Sequence, residues 1–163
     1  MDKERLFTLE EARDALGARF VGPSLGGKVT GISIDTRTIA SDELFVALPG
    51  ENSDGHRFLA EAFAAGAVAA IVKQDYWEDL DRHVREVGSF LIVRDPLAAL
   101  QGLAKWYLDR FPGLMRIGIT GSNGKTTTKE FAAAILRRHG STYVSAGNFN
   151  SEIGLPLSIF GLR

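Results

Sequence analysis

A chain of 163 residues is long enough for one ordinary domain or two small ones. Its 45% hydrophobic and 24% charged residues match a soluble globular composition, and a formal net charge of -1 offers no electrostatic support for nucleic acid or a membrane surface as partner. Zero cysteines exclude disulfides and thiolate metal sites, and no apolar run is long enough to span a bilayer. The charged start Met1-Asp2-Lys3-Glu4-Arg5 lacks the apolar core of a signal peptide, so a cytoplasmic protein is expected.

In chain order, Thr8 and Glu11 have the spacing of a capping box. They predict a helix carrying Leu9, Ala12, Ala15 and Leu16 and ending at Gly17. A short strand and turn follow in Arg19 to Gly27, then a strand from Val29 to Ile34 with Ile32 and Ile34 on one face. The apolar run Leu44 to Leu48 reads as a buried strand. A helix is expected from Arg57 to Ala65 with Phe58, Ala62 and Ala65 inward, then a strand at Val68 to Val72. Leu80, Val84 and Val87 mark a helix face, and Glu78 to Glu86 its wet side. Phe90 to Val93 is a further strand. Asp95-Pro96 is a seam, with Pro96 suited to a first helical turn. Leu97, Leu100, Leu103, Ala104, Tyr107 and Phe111 form a helical stripe read as core packing. Trp77 and Trp106 are read as packing residues, and the scattered His56, His83 and His139 as surface or capping residues.

After Pro112-Gly113 comes the most informative stretch. Leu114 to Thr120 has strand character, with Ile117 and Ile119 on one face. Gly121-Ser122-Asn123-Gly124 follows as a glycine-rich turn, and Lys125-Thr126-Thr127 opens a helix whose Phe131, Ala132, Ile135 and Leu136 pair at i,i+4. Arg137, Arg138 and His139 are assigned to its last turn and Gly140 to its end. Backbone N–H groups of such a turn can close around an anion, and the helix start adds unpaired N–H groups and a positive dipole end. Lys125 is placed to reach the β/γ-phosphates of a nucleoside triphosphate, and the Thr126 hydroxyl to ligate Mg²⁺. The strict G-x-x-x-x-G-K-[ST] pattern fails at Ile119, but strand, loop, Lys-Thr and helix occur in the required order.

With these residues laid out, the chain resembles the Mur ligases of bacterial peptidoglycan synthesis. Thr120-Gly121-Ser122-Asn123-Gly124-Lys125-Thr126 is similar to their phosphate loop. Asp35-Thr36-Arg37, Asp42-Glu43-Leu44-Phe45-Val46-Ala47 and Gly50-Glu51-Asn52-Ser53-Asp54-Gly55-His56 resemble their N-terminal domain. Together with Gly147-Asn148-Phe149-Asn150-Ser151-Glu152-Ile153-Gly154-Leu155-Pro156-Leu157, they look most like the members that join D-alanyl-D-alanine to UDP-N-acetylmuramoyl-tripeptide. The fold implied is α/β: a small N-terminal UDP-substrate domain over 1–95, then the incomplete start of a P-loop-type parallel-sheet ATPase domain over 96–163. The cofactors implied are ATP and Mg²⁺. Gly121, Ser122, Asn123, Gly124, Lys125, Thr126 and Thr127 are assigned to ATP, Lys125 and Thr126 to catalysis, and Thr126 to the metal.

By family position Thr36, Arg37, Glu51, Asn52, Ser53, Asn148 and Asn150 face the UDP-linked substrate. Arg37 alternatively pairs with Asp35 or Asp42. Asn52, Ser53 and Asp54 alternatively serve as turn formers around Gly55, and Asn148 and Asn150 as loop formers. Ser151 stands where relatives often have Asn, and Thr36 where they often have Ser. A monomer is expected, without nucleic acid or membrane insertion. The resemblance also implies a longer protein, because an acidic Mg²⁺ ligand, a modified lysine, the adenine contacts and the D-alanyl-D-alanine site fall outside 163 residues. The chain alone is therefore expected to be inactive in ligation. A Mur ligase adding a single amino acid is the runner-up. A folylpolyglutamate synthetase would share the phosphate loop but not the segment Asp35 to Phe58.

Overall fold

The computed structural model describes residues 4–50, 54–145 and 151–163. Local signals decide its first helix. Thr8 closes the short strand β1 (Phe7–Thr8) and caps α1 (Leu9–Leu16). Its hydroxyl accepts from Glu11 N at 3.2 Å, and Glu11 Oε2 accepts from Thr8 N at 2.7 Å, so both exposed donors of the capping box are satisfied. Gly17 ends the helix at φ 57°, a left-handed position that favours glycine.

The main sheet has five strands in the order β2-β7-β6-β5-β4. These are β2 (Arg19–Val21), β4 (Gly31–Ser33), β5 (Glu43–Val46), β6 (Ala69–Lys73) and β7 (Phe90–Val93). β4, β5, β6 and β7 run parallel, in a register that sets Leu44 beside Ala69 and Ala70 beside Phe90, while β2 is antiparallel to β7. Apolar runs in the central strands follow from burial on both faces. Leu44, Val46, Ala69, Ile71 and Leu91 point to one face. Phe45, Ala47, Ala70, Val72, Phe90 and Ile92 point to the other.

Helices cover both faces. On the first lie α1 and α5 (Pro96–Asp109), whose Leu100 and Leu103 are fully buried. Burying each contributes about 1.5–3 kcal/mol. Asp95 caps α5 by accepting from Leu97 N and Ala98 N at 2.8 and 3.2 Å, with Pro96 in the first turn. Beside α5 packs α7 (Gly154–Ile159), and the hydroxyl of Tyr107 donates to Leu162 O at 2.8 Å. The second face is covered by α2 (Leu59–Ala64), preceded by a 3-10 turn Gly55–Phe58, and by α3 (Gln74–Asp79) and α4 (Arg82–Val87). Trp77 and Trp106 pack against the two cores, as expected.

Four local expectations change. Val29 to Ile34 is not one strand. Lys28–Val29 forms β3, paired antiparallel with β1, while β4 pairs with β5. Thr30 sits between them, with its N–H bonded to Asp42 O at 2.9 Å, because the two halves find different neighbours. Leu59 and Ala62, not Phe58 and Ala65, form the buried face of α2. Val87 is exposed, and the helix expected around it is divided into α3 and α4 at Leu80–Asp81. Leu114 to Thr120 is extended chain without ladder pairing, since no strand among the described residues lies beside it.

Candidate functional site

The turn before Lys125 owes its shape to two glycines. Gly121 has φ 150° and Gly124 has φ 76°, both conformations that side chains with a Cβ seldom adopt. Gly124 is also the N-cap of α6 (Lys125–Leu136). No side chain among the described residues caps this helix, so the N–H groups of its first turn have no side-chain acceptor among them. Its ladder begins with Thr128 N donating to Gly124 O at 2.9 Å. The turn therefore presents backbone donors and the positive end of a 12-residue helix at one point.

Lys125 leads that helix, and its ammonium donates to the carbonyl of Gly121, spanning the loop. An anion carrying more charge than that carbonyl would compete for the same ammonium. Gly121, Lys125 and Thr126 line an open cavity of about 490 Å³ between the extended segment 117–120, α6 and residues 142–145. Ser122, Asn123, Gly124 and Thr127 are exposed beside it but do not form its wall. Lys129 was not singled out from the sequence. It lies one turn after Lys125, lines the same cavity and donates to Ser145 O at 2.8 Å. Its signal was the i,i+4 spacing from Lys125. α6 itself ends at Leu136, so Arg137, Arg138 and His139 follow as turns, and Gly140 does not adopt a left-handed cap.

Thr36 and Arg37 sit on the turn after β4. Arg37 takes the paired alternative: its Nη2 lies 2.6 Å from Asp35 Oδ2 and its Nε 2.9 Å from Asp35 Oδ1. The guanidinium and the Arg37 backbone N–H hold the Asp35 carboxyl down at about 2. The guanidinium is 86% exposed, so the pair is solvent-screened and leaves Arg37 able to engage an incoming anion. The Thr36 hydroxyl reaches Glu61 Oε2 on α2 at 3.5 Å. Glu51, Asn52, Ser53, Asn148 and Asn150 lie outside the described residues.

His56 corrects the surface assignment. It is 3% exposed, because the 3-10 turn that Asp54 caps directs its ring inward. Its Nδ1 lies 2.6 Å from Asp54 Oδ1, and its Nε2 accepts from Lys73 N at 2.9 Å. An acceptor at Nε2 puts the proton of the neutral ring on Nδ1, donating to Asp54. The Tyr76 ring stacks on the imidazole with centroids 4.2 Å apart. Burial raises the Asp54 carboxyl, but the His56 backbone and ring and the Tyr76 hydroxyl outweigh it, so the group stays below the usual carboxylate range. His83 and His139 are exposed, and no cluster of three metal-ligating side chains occurs among the described residues. No helix among them is long and apolar enough to cross a membrane.

Comparison with known proteins gives this arrangement its family. Residues 28–107 match the model described as "Mur ligase family, catalytic domain", and residues 119–163 match "Mur ligase middle domain". A UDP-N-acetylmuramoyl-tripeptide–D-alanyl-D-alanine ligase from Treponema pallidum (strain Nichols) is 45% identical over 82% of this chain and 30% of its own length. A crystal structure of MurF from Acinetobacter baumannii superposes over 100% of this chain and 34% of that one, with TM-score 0.84 and 30% identity. A MurF ligase from Thermotoga maritima in complex with ADP covers 80% of this chain and 28% of its own, with TM-score 0.63 and 32% identity. The chain thus spans about a third of the length of the relatives it matches. Two family models in the expected order, and an α/β architecture shared with solved members, establish that this chain belongs to the Mur ligase family.

Proposed function

We propose that the chain is the N-terminal part of an ATP-dependent ligase that joins D-alanyl-D-alanine to UDP-N-acetylmuramoyl-tripeptide. One observation carries the nucleotide half of this reading. The left-handed Gly121 and Gly124 deliver the chain into an uncapped helix headed by Lys125. That arrangement fits a triphosphate: backbone donors, a helix dipole and one ammonium converge beside an open cavity. The ADP complex of the Thermotoga maritima relative supports the same assignment.

In this reading residues 1–95 hold the UDP-linked substrate through Thr36, Arg37, Glu51, Asn52 and Ser53, and residues 96–163 begin the ATP-binding part, with Asn148 and Asn150 facing the substrate. α5, although it lies after residue 95, packs into the core of the first unit. ATP supplies the phosphoryl group that converts the substrate's terminal carboxylate into an acyl phosphate, which the amine of D-alanyl-D-alanine attacks with release of phosphate. A carboxylate oxygen leaves poorly until it is phosphorylated. Charge spreads over the transferring phosphoryl group, so the work of the protein is positioning and charge stabilisation. The Lys125 ammonium exchanges the Gly121 carbonyl for the β/γ-phosphates, and the backbone N–H groups of Ser122 to Lys125 hold the phosphate oxygens. Each such donor is worth about 3–4 kcal/mol to the transition state. Thr126 offers a hard hydroxyl oxygen suited to Mg²⁺, and the acidic ligand that the resemblance implies lies outside the described residues.

Isothermal titration tests the reading. The folded chain is expected to bind MgATP and UDP-N-acetylmuramoyl-tripeptide separately and to form no ligated product. Lys125→Met should abolish the first binding event and leave the second. Failure of the folded chain to bind either ligand would overturn the proposal, and product formation would overturn the claim that it is catalytically incomplete.

A further inference from the structure

Residues 142–145 form one wall of the cavity beside Lys125, yet they pair with no strand among the described residues. Two side-chain hydrogen bonds tie this wall to a helix on either side. From α6, the Lys129 ammonium donates to Ser145 O at 2.8 Å. From the wall itself, the Tyr143 hydroxyl donates to Ser158 O on α7 at 2.6 Å. The α7 side is a fixed anchor. Ser158 is buried, and Phe160 sits in the first core with its ring against Phe7 and Tyr107. The Tyr143 phenol packs closely on the backbone just past α7, since a Cβ added at Gly161 would lie 2.8 Å from its Cζ.

We propose that Lys129 and Tyr143 are positioning residues for the nucleotide: together they hold the 142–145 wall between α6 and α7 and so set the width of the cavity that receives MgATP. The inference rests on the assignment of that cavity to the nucleotide. A wall outside any ladder keeps its place through its side-chain ties, and these two pull in different directions. The Lys129 tie is charge-assisted, which makes it stronger than a bond between neutral groups. Its side chain is 21% exposed and its ammonium lies 3.9 Å from Glu130 Oε1, so the lysine is held within the structure rather than extended into solvent. Losing either tie frees one end of the wall. The protein then spends only part of its time with the cavity at the binding width, and apparent affinity falls by that fraction. Losing the second tie adds little, because the wall is already free.

The test is a double-mutant cycle on the whole chain, read by isothermal titration with MgATP. Lys129→Met keeps the apolar stem and removes the ammonium, and Tyr143→Phe removes only the hydroxyl. Each folded variant should bind MgATP about 5- to 10-fold more weakly than wild type. The double variant should lose only about tenfold, not the roughly 25- to 100-fold product expected of two independent contacts. Chemical denaturation of the same proteins separates positioning from stability. A merely structural role lowers the denaturation midpoint and leaves the folded variants at wild-type affinity, which overturns the proposal. Losses that multiply in the double variant also overturn it, because each side chain then acts through a contact of its own. Either result leaves the nucleotide assignment standing. Absence of MgATP binding by the folded wild-type chain sinks that assignment, and the proposal with it.

Discussion

Gly124→Ala isolates the conformational contribution of the phosphate loop. A Cβ added at Gly124 meets nothing within 4 Å, so the substitution introduces no clash. What it introduces is a side chain at φ 76°, a left-handed position costing a non-glycine residue about 1–2 kcal/mol. If phosphate binding requires this conformation, MgATP affinity should fall roughly 5- to 30-fold. The same strain acts without ligand on the helix start, where Thr128 N donates to Gly124 O, so that amide should exchange faster. Gly118→Ala is the matched control: Gly118 is not left-handed, and its added Cβ is equally unobstructed. Isothermal titration gives the affinities, and hydrogen exchange gives the Thr128 amide. Equal MgATP affinity for Gly124→Ala and wild type, or equal losses for Gly118→Ala and Gly124→Ala, would refute the argument that the left-handed turn shapes the anion site.

Three further outcomes are expected. Gly88→Ala should destabilise the fold by about 1–3 kcal/mol, because the new Cβ would lie 2.2 Å from Phe63 Cζ in the packed second face; calorimetry should register a fall of roughly 2–4 °C per kcal/mol. Leu103→Ala should cost about 2–5 kcal/mol by chemical denaturation, since the side chain is fully buried under the sheet. Asp35 has a folded-state carboxyl held at about 2 against an ordinary 3.8. The stability it contributes is present above 3.8 and lost as pH falls through about 2, so Asp35→Asn should flatten that part of the acid-denaturation curve.

Much of the candidate site was legible because its signals are local. A glycine at a left-handed position and a lysine heading a helix are read within a few residues, which is why Gly121, Gly124 and Lys125 were assigned without neighbours. Lys129 was overlooked although its spacing from Lys125 was visible, because nothing local announces that two turns of helix face one cavity. His56 was misjudged for a different reason. Asp54 and His56 make an ordinary capped turn in sequence, and burial came from Lys73 and Tyr76, respectively 17 and 20 positions away.

The amino-acid sequence alone determined the helix caps at Thr8 and Gly17, the first turn of α5 at Pro96, the two-faced apolar strands, and the glycine turn before α6. Each depends on hydrogen bonds within three or four residues or on a side-chain period that needs no partner. Tertiary structure decided the rest. It divided residues 28–33 between two sheets, left Leu114 to Thr120 outside any ladder among the described residues, joined α5 to the first core and turned His56 inward. Strand pairing and burial are settled by whichever distant segment supplies the facing donor, acceptor or apolar surface, and no window along the chain contains that segment.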